Sequence, residues 1–594
     1  MERFNFTVFK RFWAIAHPYW QSEEKWQARG FLLLVVLLSL VYAGLSVILN
    51  NQRGAMISAL SAQDQTRFWH TILIFTAILA AYAPQYAGYI YLRDRLGLQW
   101  RRWLTHRYVH NYFQNQAYYH LNQIGSEIDN PDQRITEDVK SFTQESLTFL
   151  LVIVDSLLAM IAFSGVLWVI SPTLVWFLIL YALIGTLLTV GVFGQPLVRL
   201  NFEQLKKEAD FRFSLVRVRE NTEAIAFYRG EEREAEQVNL RFMAAFENFK
   251  RLIFWELNLN VITNAYEFLP FILPAIVVAP GIFAGDLEIG KVTEAQGAFI
   301  RIFFSLNLIV ARFQELTTFG AGIDRLYTFA QRLEPPAADP SQTPEQPTIA
   351  RETAAELTLA DLTVQTPNHQ RILVQDLSVT VPPGQGLLIR GPSGCGKSSL
   401  LRAIAGLWTA GTGKILRPPA DQILFLPQRP YMILGTLRDQ MLYPNPALEV
   451  DDQQLREVLQ QVNLLQLEKR FGGFDAEQDW AAVLSLGEQQ RLTFARLILN
   501  RPAYVILDEA TSALDLENEA TLYDLLLNQG TTFLSVGHRS TLPAYHQLVL
   551  ELCDDQTWQL SAHDVEIENG KSESKLAMVT GNLSYGTNNH PVPL

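Results

Sequence analysis

Cysteine is nearly absent from this chain: Cys395 and Cys553 are the only two in 594 residues, too few for a disulfide framework. Basic charge is also short. Lysine and arginine total 48 against 60 acids, and the formal net charge of −12 argues against nucleic acid as the main partner. A secretory signal is missing too. The first apolar run begins near Phe31, is about 20 residues long and carries no small-residue cleavage site. What the chain does have is length and uneven hydrophobicity. It is too long for one core, so at least two domains are expected.

The first half contains six segments apolar enough to span a bilayer, near 31–50, 70–90, 147–170, 172–194, 263–285 and 293–316. A run such as FLLLVVLLSLVYAGLSVIL has no polar face to turn to water. Glu267, Pro270, Pro274 and Arg301 interrupt the last two segments and soften their limits. Basic residues crowd two long loops: Arg93, Arg95, Arg101, Arg102, Arg107, Arg134 and Lys140 in one, Arg199, Lys206, Lys207, Arg212, Arg217, Arg219 and Arg229 in the other. Basic loops stay cytoplasmic, so both termini are expected there. These loops read as extensions of helices 2–3 and 4–5. The resulting division is a helical membrane domain over 1–333, a Pro-rich linker over 334–355, an α/β domain over 356–565 and a polar, unstructured tail over 566–594.

The α/β domain carries phosphate chemistry. Gly391-Pro392-Ser393-Gly394-Cys395-Gly396-Lys397-Ser398 follows the apolar strand Leu387–Ile389 and opens a helix that continues through Ser399. This is the context of a Walker A loop. Its glycines let backbone N–H groups approach phosphates, Lys397 neutralises β/γ charge, and Ser398 can reach Mg²⁺. Downstream, the strand Tyr504–Leu507 ends in Asp508 and Glu509. Asp508 can hold Mg²⁺ through water, and Glu509 can polarise an attacking water.

Between them, Leu484-Ser485-Leu486-Gly487-Glu488-Gln489-Gln490-Arg491 resembles the signature of ABC ATPases, usually LSGGQ, with Leu486 in place of the first glycine. The resemblance implies that Ser485, Gly487 and Glu488 contact nucleotide held by another subunit. Gln428 in LPQRP resembles the Q-loop glutamine that senses Mg²⁺ and water. Asp515 closes a segment similar to the D-loop, and His538 resembles the switch histidine that meets the γ-phosphate. The membrane half extends the likeness. WRRWLTHRYVHNYFQNQAYYHL, Asn130–Asp138 and Glu223–Glu232 resemble the SbmA/BacA-like and subfamily D half-transporters. The implied fold is six transmembrane helices of exporter type fused to a P-loop ABC ATPase. The implied partners are a second copy of the chain, membrane lipid and a small-molecule, peptide or lipid substrate, with ATP and Mg²⁺ as cofactors. The implied activity is ATP-driven transport in a bacterial plasma membrane: uptake of hydrophilic compounds or peptides, cobalamin in some members. A fatty-acyl carrier or exporter, or an ATP-gated pore, is the alternative.

Two further readings concern single residues. Asp155 and Glu267 sit within spans 3 and 5, and Arg301 and Arg312 within span 6. Such groups are costly in hydrocarbon, so at least one acid is expected to line a cargo path, unless the charges merely pair with one another. An aromatic that could stack on adenine is absent between Leu357 and Gly391, where Thr366 holds the corresponding position. Tyr443 could substitute, or could simply pack the helical part of the domain.

Overall fold

The computed structural model describes residues 6–121, 130–306, 312–333, 347–562, 564–568 and 571–575. The chain separates into two compact units, Met1–Ala338 and Asp339–Leu594.

The first unit is helical. Phe6–Gln21 (α1) precedes the long helices Lys25–Ser61 (α2), Gln65–Phe113 (α3), Pro131–Ile170 (α4) and Pro172–Glu220 (α5). A short helix, Thr222–Tyr228 (α6), leads to Glu231–Phe283 (α7), then Gly290–Leu306 (α8) and Phe313–Leu333 (α9). Among the described residues, five helices are long and apolar enough to cross a membrane: α2, α3, α4, α5 and α7. The sixth expected span, 293–316, is described in part, as α8; residues 307–311 lie outside the described set. Leu37, Leu40, Val169, Trp176 and Leu187 are exposed, as a lipid-facing surface requires. The helices do run far past the apolar segments. At 1.5 Å per residue the 53 residues of α7 reach more than twice the thickness of a bilayer core of about 30 Å.

Pro270 and Pro274 leave α7 unbroken, and Pro270 shows how. Proline lacks the N–H that would pair with the carbonyl four residues earlier, here Tyr266. Tyr181 Oη donates to that carbonyl at 2.6 Å instead. A neighbouring helix thus satisfies the freed group, as a membrane interior demands. Helices α2 and α8 meet through glycine. A Cβ on Gly290 would strike the Gly54 carbonyl oxygen and Ser58 Oγ, and one on Gly297 would strike Asn50.

The second unit has two sheets. Strands Ala350–Thr353 (β1), Leu357–Gln365 (β2), Ile372–Val381 (β3) and Gly411–Arg417 (β5) order as β1-β5-β2-β3. The central sheet runs β10-β9-β4-β8-β7-β6. It contains Gly386–Arg390 (β4), Ile423–Leu426 (β6), Tyr504–Asp508 (β7), Thr532–Val536 (β8), Leu548–Leu552 (β9) and Trp558–Ala562 (β10). All its pairings are parallel except β9–β10. The inner strands are buried on both faces, which explains the unbroken apolar runs Leu387–Ile389 and Val505–Leu507. One core lies between the sheets around Leu362, Leu377 and Ile404; the other packs a helical lobe containing Leu455, Trp480 and Phe494.

The tail requires a correction. Asp564–Glu568 (β11) and Lys571–Lys575 (β12) pair antiparallel, so the stretch assigned to an unstructured tail from 566 contains paired strand. Residues 576–594 lie outside the described set, as do 334–346 of the linker.

Candidate active site

The site collects at the carboxyl ends of the parallel strands, where open α/β sheets bind ligands. Strand β4 delivers the loop Gly391–Gly396, and the helix Lys397–Ala405 (α10) follows at once. Gly391, Gly394 and Gly396 have φ of +144°, +86° and +105°. A side chain at Gly391 would also meet the Leu552 carbonyl and Cys395 Sγ, so glycine is needed twice over. Buried Lys397 folds back across this loop and donates Nζ to the carbonyls of Gly391 and Pro392, both at 2.7 Å. An ammonium held there by two neutral acceptors can be drawn to a phosphate. Ser398 and Ser399 occupy the first turn of α10, and Pro392, Ser393 and Cys395 complete the loop.

Strand β7 brings Asp508 alongside. Burial pushes its carboxyl above the usual carboxylate range, the Glu509 charge adds to this, and Arg402 and Lys397 oppose it. Glu509 itself has φ +49°, rare for a residue with a side chain. Its N–H donates to the Val536 carbonyl at 3.0 Å and its carbonyl accepts from Ser512 N–H at 3.0 Å, which holds this turn in place. The carboxylate then faces two groups carried by other elements. Gln428 Nε2 donates to Oε2 at 2.7 Å, and His538 Nε2 lies 3.7 Å from Oε1. Gln428, Glu509 and His538, separated by up to 110 positions in sequence, are thus one cluster. A carboxylate between an amide and an imidazole can orient a water for attack on a phosphorus. The oxygen donors of Ser398, Gln428 and Asp508 suit Mg²⁺, which takes a few protein ligands and leaves the rest to phosphate and water.

Other candidates serve helix starts. Ser485 caps the helix Leu486–Asn500 (α11) in a reciprocal box: Glu488 N–H donates to Ser485 Oγ, and Ser485 N–H donates to Glu488 Oε2 at 2.9 Å. Burial works against the Glu488 charge, but the Ser485 hydrogen bonds and Arg470, at 2.8 Å, outweigh it and hold the carboxyl low. Gly487 sits close under the Ala513 carbonyl. Asp515 caps Leu516–Asn528 (α12) by accepting from Asn518 N–H at 2.8 Å. Ser485, Gly487 and Glu488 form their own cluster, distinct from the one around Glu509.

Gln490 was not singled out from the sequence, yet it ties these parts together. It is fully buried. Its Nε2 donates to the Gln428 carbonyl at 3.2 Å and Ser512 Oγ at 3.3 Å, and its Oε1 accepts from Ala513 N–H at 3.0 Å. The available signal was a glutamine on the face of α11 that otherwise buries Thr493, Phe494 and Leu497.

Tyr443 packs within its own domain. Its ring meets Tyr431 at 6.0 Å and the Arg496 guanidinium at 5.2 Å, and its carbonyl accepts from Asn500. These contacts leave the ring partly exposed. Thr366 lies in the turn between β2 and β3, where its hydroxyl donates to Asn368.

In the membrane unit, Asp155 of α4 accepts from Ser39 Oγ at 2.5 Å and Tyr89 Oη at 2.8 Å. It borders a cavity that Arg301 also lines. Glu267 is half-buried on α7 and is not part of that wall, so the two acids are not brought together. Arg312 pairs with Glu315 at 3.0 Å.

Residues 15–283 match the family model of ABC transporter transmembrane region 2, and residues 374–512 match the family model described as ABC transporter. The chain is 47% identical to an uncharacterized ABC transporter ATP-binding protein of Synechocystis sp., over 91% of this chain and 82% of that one. It is 39% identical to the chloroplastic ABC transporter D family member 2 of Arabidopsis thaliana, over 94% and 89%. It is 33% identical to the lysosomal cobalamin transporter of Homo sapiens, over 79% and 82%. A membrane region, a phosphate loop, paired acids after β7 and these relatives converge: the chain belongs to the ABC transporters, as a half-transporter with its membrane region fused to its ATP-binding domain.

Proposed function

We propose that two copies of this chain form a homodimer that imports a hydrophilic compound or peptide across a bacterial plasma membrane, driven by ATP and Mg²⁺. The observation that carries this reading is the Gln428–Glu509–His538 cluster beside a single phosphate loop, with the Ser485 helix start forming a separate cluster. In this reading Lys397 and the loop hold the β/γ-phosphates, and Ser398, Gln428 and Asp508 hold Mg²⁺. Glu509 orients the attacking water, and His538 meets the γ-phosphate. Ser485, Gly487 and Glu488 of one copy close on the nucleotide of the other. One chain supplies each half once, so the composite site needs two chains. ATP then favours the closed dimer and hydrolysis releases it, giving a cycle set by differential affinity for two states.

A cobalamin-like cargo is supported by the human relative's name. A fatty-acyl or lipid cargo is favoured by aromatic rings in the membrane cavity, Tyr42, Tyr82 and Phe304 among them. Proteoliposomes with outward-facing ATPase domains decide between them. ATP-dependent movement of a labelled peptide or cobalamin supports the first reading, movement of a labelled acyl chain alone supports the second, and ion leak alone counts against both.

A further inference from the structure

Helices α2, α3, α4 and α8 line an open cavity of about 630 Å³ in the membrane unit. Its charged lining is Arg53, Asp155 and Arg301. Two arginines elsewhere in this unit are paired with carboxylates: Arg67 with Glu288 at 2.8 Å, and Arg325 with Asp138 at 2.7 Å. The arginines of the cavity are not. Among the described residues, neither Arg53 nor Arg301 has a carboxylate within 4 Å. The nearby acid, Asp155, is occupied by Ser39 and Tyr89. Arg301 is instead steadied by Tyr42, donating to its hydroxyl at 3.1 Å with the guanidinium 5.6 Å from the ring centre.

A half-buried guanidinium in the membrane unit is costly without a counter-charge, and Arg301 has only the engaged Asp155 on the same wall; exposed Arg53 adds a second positive charge to the lining. Aromatic faces flank them. Tyr42 clusters with Tyr82 and Tyr86, with ring centres 5.4 and 5.2 Å away. We propose that this cavity binds the carboxylate or phosphate group of an organic anion on Arg301 and Arg53, with the anion's apolar body against the Tyr42–Tyr82 rings. This rests on the transport reading above and names the charge of its cargo. A planar guanidinium matches both oxyanions bidentately, which a lysine would not.

The test uses the full chain in phosphatidylcholine nanodiscs without nucleotide, titrated calorimetrically with 1-naphthyl phosphate and with 1-naphthylmethylammonium, which carries the same ring and the opposite charge. The phosphate should bind at least about tenfold tighter. Arg301→Gln should lose about tenfold of that affinity, whereas Arg301→Lys, which keeps the charge, should lose less and so exclude a folding defect as the cause. A second arm adds phosphatidylglycerol to the discs. Competition there identifies a lipid headgroup as the natural anion, and its lack identifies a soluble one. Equal affinity for the two probes, or unchanged phosphate binding in Arg301→Gln, overturns the proposal. Because no ATP is present, intact binding with failed ATP-driven uptake counts against the transport reading alone.

Discussion

Replacing Gln490 by leucine should disable hydrolysis without touching a phosphate contact. The side chain keeps its size and loses three hydrogen bonds, to the Gln428 carbonyl, Ser512 Oγ and Ala513 N–H. Each is worth about 0.5–1.5 kcal/mol net. Gln428, Ser512 and Ala513 are exposed and can turn to water, which limits the penalty, and buried leucine recovers part of it. The balance is a loss of about 2 kcal/mol, or about 4–8 °C in the melting of the ATPase unit. The larger effect is positional. Gln490 fixes the backbone of Gln428, whose amide holds Glu509. Without it, kcat for ATP should fall about tenfold while KM changes less than about threefold, because Lys397 and its loop are unaltered. Steady-state ATPase rates over a range of ATP, with differential scanning fluorimetry of the same full-length preparation, read both quantities. A Gln490→Leu protein with wild-type kcat would refute the linkage; a raised KM at constant kcat would show that the glutamine serves binding instead.

Three other outcomes follow from the packing. His546 is fully buried between Leu542 O and Ser535 Oγ, and burial lowers its pKa from 6.5 to about 4. The unfolded chain therefore takes up the proton first, so this contribution is complete above pH 6.5 and shrinks by up to about 3 kcal/mol as pH falls toward 4. Melting of the ATPase unit between pH 7.5 and 5 should show that slope, and a flat profile would contradict it. Tyr443→Ala should cost about 1–2 kcal/mol through the lost Arg496 contact yet leave KM for ATP within about twofold; a several-fold rise would restore adenine stacking on this ring. Gly290→Leu should force α8 from α2 and lower the thermal stability of the membrane unit, whereas Gly44→Leu, on an open face of α2, should not; equal melting of the two would deny the close approach.

The long membrane helices and the phosphate loop were legible because each follows from local chemistry. Apolar runs without a polar face must meet lipid, and Gly391–Lys397 sits between a buried strand and a helix. The Gln428–Glu509–His538 grouping was legible by resemblance, and the sheet explains it: β6, β7 and β8 are adjacent and parallel, so their carboxyl ends coincide. What escaped depends on partners remote in sequence. Pro270 could not be judged harmless without Tyr181, 89 positions away, nor Gln490 be separated from an ordinary helix-face glutamine. Tyr443 was open for the same reason, since only folding brings Arg496 under its ring. The β11–β12 pair arises from a polar stretch with few apolar residues to mark a strand.

The most direct test of the account is Glu509→Gln in the full-length protein, reconstituted in proteoliposomes. The carboxylate that Gln428 and His538 face is lost, while Lys397 and its loop remain. The variant should bind ATP like the wild type, accumulate as an ATP-bound closed dimer, and retain less than about a tenth of ATP hydrolysis and cargo uptake alike. Hydrolysis above that level, or uptake that persists when hydrolysis is gone, would contradict the claim that this cluster drives transport.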